Sequence, residues 1–171
     1  MAPIQQSDFM KRLYLLRHAK SSWKDFTLSD FDRPLNKRGK RDAPLMAQKL
    51  KEMGIRPDII ISSPAKRARK TAKIFAKTLH AALETEEKLY EAHTSDIKEV
   101  IQTAFEKYDA VMIVGHNPGL TMFNDEISDI PIFNIPTTGV VGIGFQNDDT
   151  SLDKGSQLFF EYPRKYAPHA G

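Results

Sequence analysis

The chain has 171 residues, 40% of them apolar and 27% charged, and a formal net charge of +3. This is the composition of one globular domain with its own core, and it excludes disordered and fibrous classes. Cysteine is absent, which excludes disulfides, thiolate metal sites and a cysteine nucleophile together.

No apolar run reaches membrane-spanning length, and Met1-Ala2-Pro3-Ile4-Gln5-Gln6 lacks a signal-peptide pattern, so a cytoplasmic protein is expected. Residues 1–10 and 164–171 are expected to be loose ends of a single domain spanning 1–171. Leu13-Tyr14-Leu15-Leu16 reads as a strand that ends in Arg17-His18-Ala19-Lys20. Helical spacing of Ala43, Met46, Ala47 and Leu50 predicts a helix over Asn36 to Met53, with Pro44 marking a kink or a later start near Asp42. Asp58-Ile59-Ile60-Ile61 is the second strand. Ser63-Pro64 then reads as the N-cap and first residue of a helix with the apolar stripe Ala68, Ala72, Phe75 and Leu79. His80 closes that helix.

A third helix is predicted over Ser95 to Lys107, with Ile97, Val100, Ile101 and Ala104 inward and Asp96 and Glu99 near its positive end. Ala110-Val111-Met112-Ile113-Val114 is the next strand, and a fourth helix begins at Asn117-Pro118. Val140 to Phe145 and Gln157 to Tyr162 flank the polar loop Gln146–Ser156 and read as an edge hairpin. Strands alternating with helices predict an α/β fold: a three-layer α/β/α sandwich with a mostly parallel sheet.

In such sheets ligands bind outside the carboxyl ends of the strands. If the three apolar strands are neighbours, His18, His116, Arg17 and Arg67 meet in one crevice. A lone histidine after a strand is more often a structural residue. Beside it, however, Arg17 offers a planar fork for phosphate oxygens, and nearby positive charge keeps an imidazole neutral and nucleophilic. Arg67 falls in the first turn of the second helix, where unpaired amides favour anions. Lys66, Arg69, Lys70, Lys73 and Lys77 read as its solvated face. His116, once protonated, suits the charge of a transferring phosphoryl group, and Asn117 can cap the helix that follows.

These residues resemble the histidine phosphatase superfamily, which shares the phosphoglycerate mutase-like fold, and most nearly its small phosphohistidine phosphatase branch. The resemblance rests on Leu16-Arg17-His18-Ala19-Lys20-Ser21-Ser22-Trp23, on Asp32-Arg33-Pro34-Leu35-Asn36-Lys37-Arg38-Gly39, on Ser62-Ser63-Pro64-Ala65-Lys66-Arg67-Ala68 and on Val114-Gly115-His116-Asn117-Pro118-Gly119-Leu120. It implies that His18 is the phosphorylated nucleophile and that Arg17, Arg67 and His116 complete the phosphate pocket, beside which Asn117 is expected to bind substrate. Relatives often carry Asn where this chain has Lys24, which reads either as a substitute point charge on phosphate or, the favoured reading, as a solvent-facing residue. Leu89-Tyr90-Glu91 resembles the segment bearing the catalytic Glu of mutase-like relatives, so Glu91 reads either as the general acid or as a surface carboxylate. Asp25 and Asp32 are outside candidates, and His93 is a weaker candidate for the pocket. His169 sits in the tail.

No histidines and carboxylates show metal-ligand spacing, so no metal and no cofactor are expected. The aromatics form no stacking platform and no nucleotide loop is present, so nucleic acid is not an expected partner, and neither is a membrane. The reading is a monomeric, metal-independent phosphatase acting on phosphohistidine in a signalling or transport protein. A small-molecule phosphomonoesterase and a catalytically silent phosphate-binding module are the alternatives.

Overall fold

The computed structural model describes residues 8–147 and 151–166. The order of elements is β1 (Lys11–Arg17), α1 (Lys37–Glu52), β2 (Ile59–Ser62), α2 (Lys66–Leu79), β3 (Ala82–Thr85), α3 (Thr94–Phe105), β4 (Ala110–Gly115), α4 (Gly119–Ile127), β5 (Val140–Phe145) and β6 (Ser156–Glu161). One sheet joins them in the order β3-β2-β4-β1-β5-β6. Its first four strands are parallel, and β5 and β6 run antiparallel as a hairpin with β6 at the edge.

The period of two along β1 explains the layers. Leu13 and Leu15 point to the face covered by α3 and α4, where Ile97, Ile101, Leu120 and Phe123 are buried. Tyr14 and Leu16 point to the other face, covered by α1 and α2 through Met46, Leu50, Ala72 and Phe75. The result is the three-layer α/β/α sandwich, with β2, β4 and β5 buried along their whole length. Among the described residues no helix is long and apolar enough to cross a membrane.

Local signals account for most boundaries. Asn36 caps α1 by accepting the Gly39 amide at 2.8 Å. A Cβ on Gly39 would stand 2.2 Å from the Lys20 carbonyl oxygen, so only glycine lets α1 approach the loop after β1 so closely. Pro44 lies inside α1 and is exposed; the helix runs through it and does not begin at Asp42. Ser63-Pro64 does not open α2. The cap is Ala65, because the Ser63 amide still donates to Val114 in the sheet and its hydroxyl accepts the Ala65 amide. His80 ends α2 in the left-handed conformation at φ 56. The edge strand β3 has no counterpart in the predicted elements. It is four residues long and mostly exposed, so it carries no apolar alternation to read.

The stretches 1–10 and 164–171 fall largely outside the described residues, as does His169. Within them Phe9 is buried and the Tyr166 hydroxyl donates to Glu161. Part of the loop Gln146–Ser156 lies outside them too.

Candidate active site

Neighbouring strands deliver the candidate residues to one end of the sheet. Arg17 closes β1 in register with Gly115 of β4, and the His18 amide donates to the Gly115 carbonyl at 3.1 Å. Ser62 closes β2 in register with Val114, and Ser63 follows it. His18, Ser63 and His116 therefore stand just beyond three adjacent strands, and the first turn of α2 adds Arg67. A cavity of about 240 Å³ opens there, lined among others by Arg17, His18, Trp23, Arg33, Arg67 and His116.

His18 is buried, and its Nδ1 lies 2.7 Å from the Ala19 carbonyl oxygen. A carbonyl can only accept, so Nδ1 carries the proton and Nε2 keeps its lone pair. Among the described residues nothing bonds Nε2. Burial pushes the His18 pKa down to about 3, against the raising effect of the Ala19 bond, and His116, Arg67 and Arg17 depress it further. The ring is neutral and nucleophilic at ordinary pH.

Both arginines are held by protein oxygens. Arg17 Nη1 donates to the Ile135 carbonyl at 3.0 Å. Arg67 Nη1 donates to the Asp30 carbonyl at 2.6 Å and its Nη2 to Asp30 Oδ2 at 3.0 Å. In each guanidinium the Nε is buried and has no hydrogen-bond partner among the described residues. Burial, then Arg67, lowers the pKa of Arg17.

His116 Nδ1 faces Arg67 Nη2 at 3.4 Å and its Nε2 lies 2.8 Å from Ser63 Oγ. Burial and then Arg67 lower its pKa to about 4, while Asp30 acts the other way. His116 is therefore neutral at ordinary pH. A bound phosphate dianion would favour its protonated form, which is the state the sequence reading requires of it.

Asp30, Arg33 and Trp23 complete the surroundings, and the first is a residue the sequence reading missed. Although partial burial opposes it, hydrogen bonds from Tyr90 and Arg67 hold the Asp30 carboxyl down at about 2. Asp30 is thus an ionised brace. Arg33 is buried and donates to Asp30 Oδ1, the Ser22 carbonyl and Ser21 Oγ, with its guanidinium carbon 3.2 Å from the Trp23 ring centroid. The segment containing Arg33 was recognisable, but Asp30 opens a single turn of 3-10 helix, Asp30–Asp32, too short to show a periodicity.

Of the other predicted residues, Asn117 lines the cavity, yet its side chain is committed. Its amide group donates to Asn134 and Ile135, and its oxygen accepts from the Thr121 amide and hydroxyl. Glu91 is exposed with a left-handed φ of 53 and is not among the lining residues. Lys24, Asp25 and Asp32 are exposed. His93 is an exposed N-cap of α3 whose amide donates to Asp96. Among the described residues no group of three or more His, Asp and Glu is placed to hold a metal ion.

Residues 13–119 match the histidine phosphatase superfamily, branch 1, and the chain belongs to that family. An uncharacterized chloroplastic protein of Arabidopsis thaliana is 38% identical over 120 residues, 64% of this chain. The matched part spans 55% of that relative's length. Among solved structures, a candidate SixA phosphohistidine phosphatase from Agrobacterium tumefaciens is 28% identical with a TM-score of 0.78, covering 91% of this chain and 100% of that one. A SixA protein histidine phosphatase bound to tungstate shares the fold at a TM-score of 0.79 and 20% identity, covering 90% and 98% of the two chains.

Proposed function

We propose that this chain is a metal-independent phosphatase that works through a phosphohistidine on His18, with protein-borne phosphohistidine as its substrate. The observation that carries the proposal is the Ala19 carbonyl on His18 Nδ1, which leaves Nε2 as a fixed, neutral nucleophile in a cationic cavity. In the reaction Nε2 attacks phosphorus in line, the new N–P bond forms and the bond to the leaving imidazole breaks. Arg17 and Arg67 hold the equatorial oxygens, and His116, protonated opposite the dianion, stabilises the charge. Water then cleaves phospho-His18, releasing orthophosphate and the free enzyme.

The substrate class is supported by the lining. No carboxylate is part of it, so no carboxylic acid stands ready for a leaving group. An alkoxide needs such an acid, whereas an imidazole takes its proton from solvent. The likeness to the Agrobacterium protein, named as a candidate phosphohistidine phosphatase, agrees with this. We assign the protein to a signalling or transport phosphorelay of the cytoplasm.

The test is covalent labelling. Wild-type protein given a phosphoramidate and quenched in alkali should carry an acid-labile phosphoryl group on His18, and His18→Ala should lose both the label and at least ~10³ of turnover. Chelator should leave the rate unchanged. A wild-type level of label on His18→Ala, or a divalent-dependent rate, contradicts the reading.

A further inference from the structure

The second helix carries more positive charge than the catalytic cavity uses. Lys66, Arg69, Lys70 and Lys73 of α2 are exposed and, with the exposed Lys40 of α1, surround a separate hollow of about 420 Å³. Pro34 and Leu35 complete its lining, which contains no carboxylate. None of the five cations makes an ion pair among the described residues. Lys66, Lys70 and Lys73 follow one another at one-turn spacing, an arrangement in which like charges repel. With a net charge of only +3 for the chain, the cluster reflects segregation of charge and not a general excess.

The hollow shares a wall with the catalytic cavity. Ser21 lines the cavity and forms an antiparallel bridge with Leu35, which lines the hollow. The Ser22 amide donates to the Pro34 carbonyl at 2.8 Å and the Asn36 amide to the Lys20 carbonyl at 3.0 Å, tying the same two segments together. In the first turn of α2, consecutive residues divide between the two: Lys66 lines the hollow and Arg67 the cavity.

We infer that this hollow docks acidic side chains that flank the phosphorylated histidine of a protein substrate, an inference that rests on the function proposed above. The two sites hold anions differently. The cavity uses guanidinium groups locked by hydrogen bonds, which suits one phosphoryl group in one pose. The hollow presents mostly lysines, point charges on flexible stems that follow carboxylates at varied positions and steer an acidic surface inward. No aromatic side chain lines it, so it offers no base a stacking platform.

The test compares two phosphohistidine peptides of equal length, one flanked by Asp and Glu and one by Ser and Gly, with free phosphohistidine as a third substrate. At low salt kcat/KM should favour the acidic peptide at least ~10-fold. The triple variant Lys66→Gln, Lys70→Gln, Lys73→Gln should erase that preference and leave free phosphohistidine hydrolysis within about twofold, since glutamine keeps the helix propensity of lysine. Anisotropy of the unphosphorylated acidic peptide reads the hollow without turnover, so it separates failure of docking from failure of the phosphohistidine reading. Its affinity should fall at least ~10-fold in the triple variant. Equal rates on the two peptides, a preference that survives the triple variant, or stronger competition from oligo-dT than from the acidic peptide overturns the docking site.

Discussion

Thr71 holds the backbone of Ala19: its Oγ1 accepts the Ala19 amide at 2.9 Å and donates to the Arg67 carbonyl at 2.8 Å. Because the Ala19 carbonyl in turn fixes the His18 tautomer, one buried hydroxyl couples the His18 loop to the helix that carries Arg67. Thr71→Val keeps the shape and leaves the buried Ala19 amide unsatisfied. We expect a loss of about 1–3 kcal/mol in stability by chemical denaturation, with kcat falling and Thr71→Ser retaining most of it. A Thr71→Val enzyme with unchanged stability and kcat would show that the hydroxyl positions nothing.

The His18 pKa gives a pH prediction with a definite sign. The folded value of about 3 lies below the ordinary 6.5, so between these values the unfolded chain binds more protons and stability falls as pH drops. At pH 5 this penalty is about 2 kcal/mol. His18→Asn cannot titrate, so its Tm relative to wild type should rise between pH 7 and pH 5. In nitrogen NMR the wild-type Nε2 should keep the shift of an unprotonated ring at pH 5.

Asp30 should matter as a brace and not as an acid. Asp30→Ala removes the carboxylate that Arg67, Arg33 and Tyr90 share, and with it the raising influence on His116. A fall of ~10–100-fold in kcat/KM is expected, less than the ~10²–10³ for losing a preorganised donor itself, because Arg67 stays in place without its brace. Tyr90→Phe removes a single one of these bonds and should cost less than about fivefold, a difference of about 1 kcal/mol. Comparable losses in the two variants would contradict this division.

Leaving-group chemistry tests Glu91. Exposed and outside the lining, it should tolerate Glu91→Gln with less than about a threefold change on phosphohistidine. Wild type should prefer phosphohistidine over an alkyl phosphate by at least ~10-fold in kcat/KM. A larger loss in Glu91→Gln on the alkyl ester than on phosphohistidine would instead mark Glu91 as a proton donor.

Much of this site was legible because its signals are local. Arg17-His18 and Gly115-His116 each follow an apolar run, and the stripes of α1, α2 and α3 recur at helical spacing, so these strand ends and the inward faces of these helices were readable, whereas the exposed β3 and the cap of α2 at Ala65 were not. Asp30 was not, because it reaches Arg67 across 37 residues of chain from a single turn of 3-10 helix. Thr71 was hidden for a different reason: a threonine inside a helix gives no hint that its hydroxyl is bonded to a distant loop.

The amino-acid pattern by itself marked Arg17, His18, Arg67 and His116 as candidates for phosphoryl chemistry and placed them at strand ends or the first turn of a helix, since periodicity and short motifs are properties of neighbouring residues. The tertiary structure alone decided that β2, β4 and β1 are adjacent, so that His18, His116 and Arg67 share one cavity. It also decided which nitrogen of His18 is free and how far its pKa falls. Both depend on burial and on one carbonyl's direction, which are set by packing across the whole sheet.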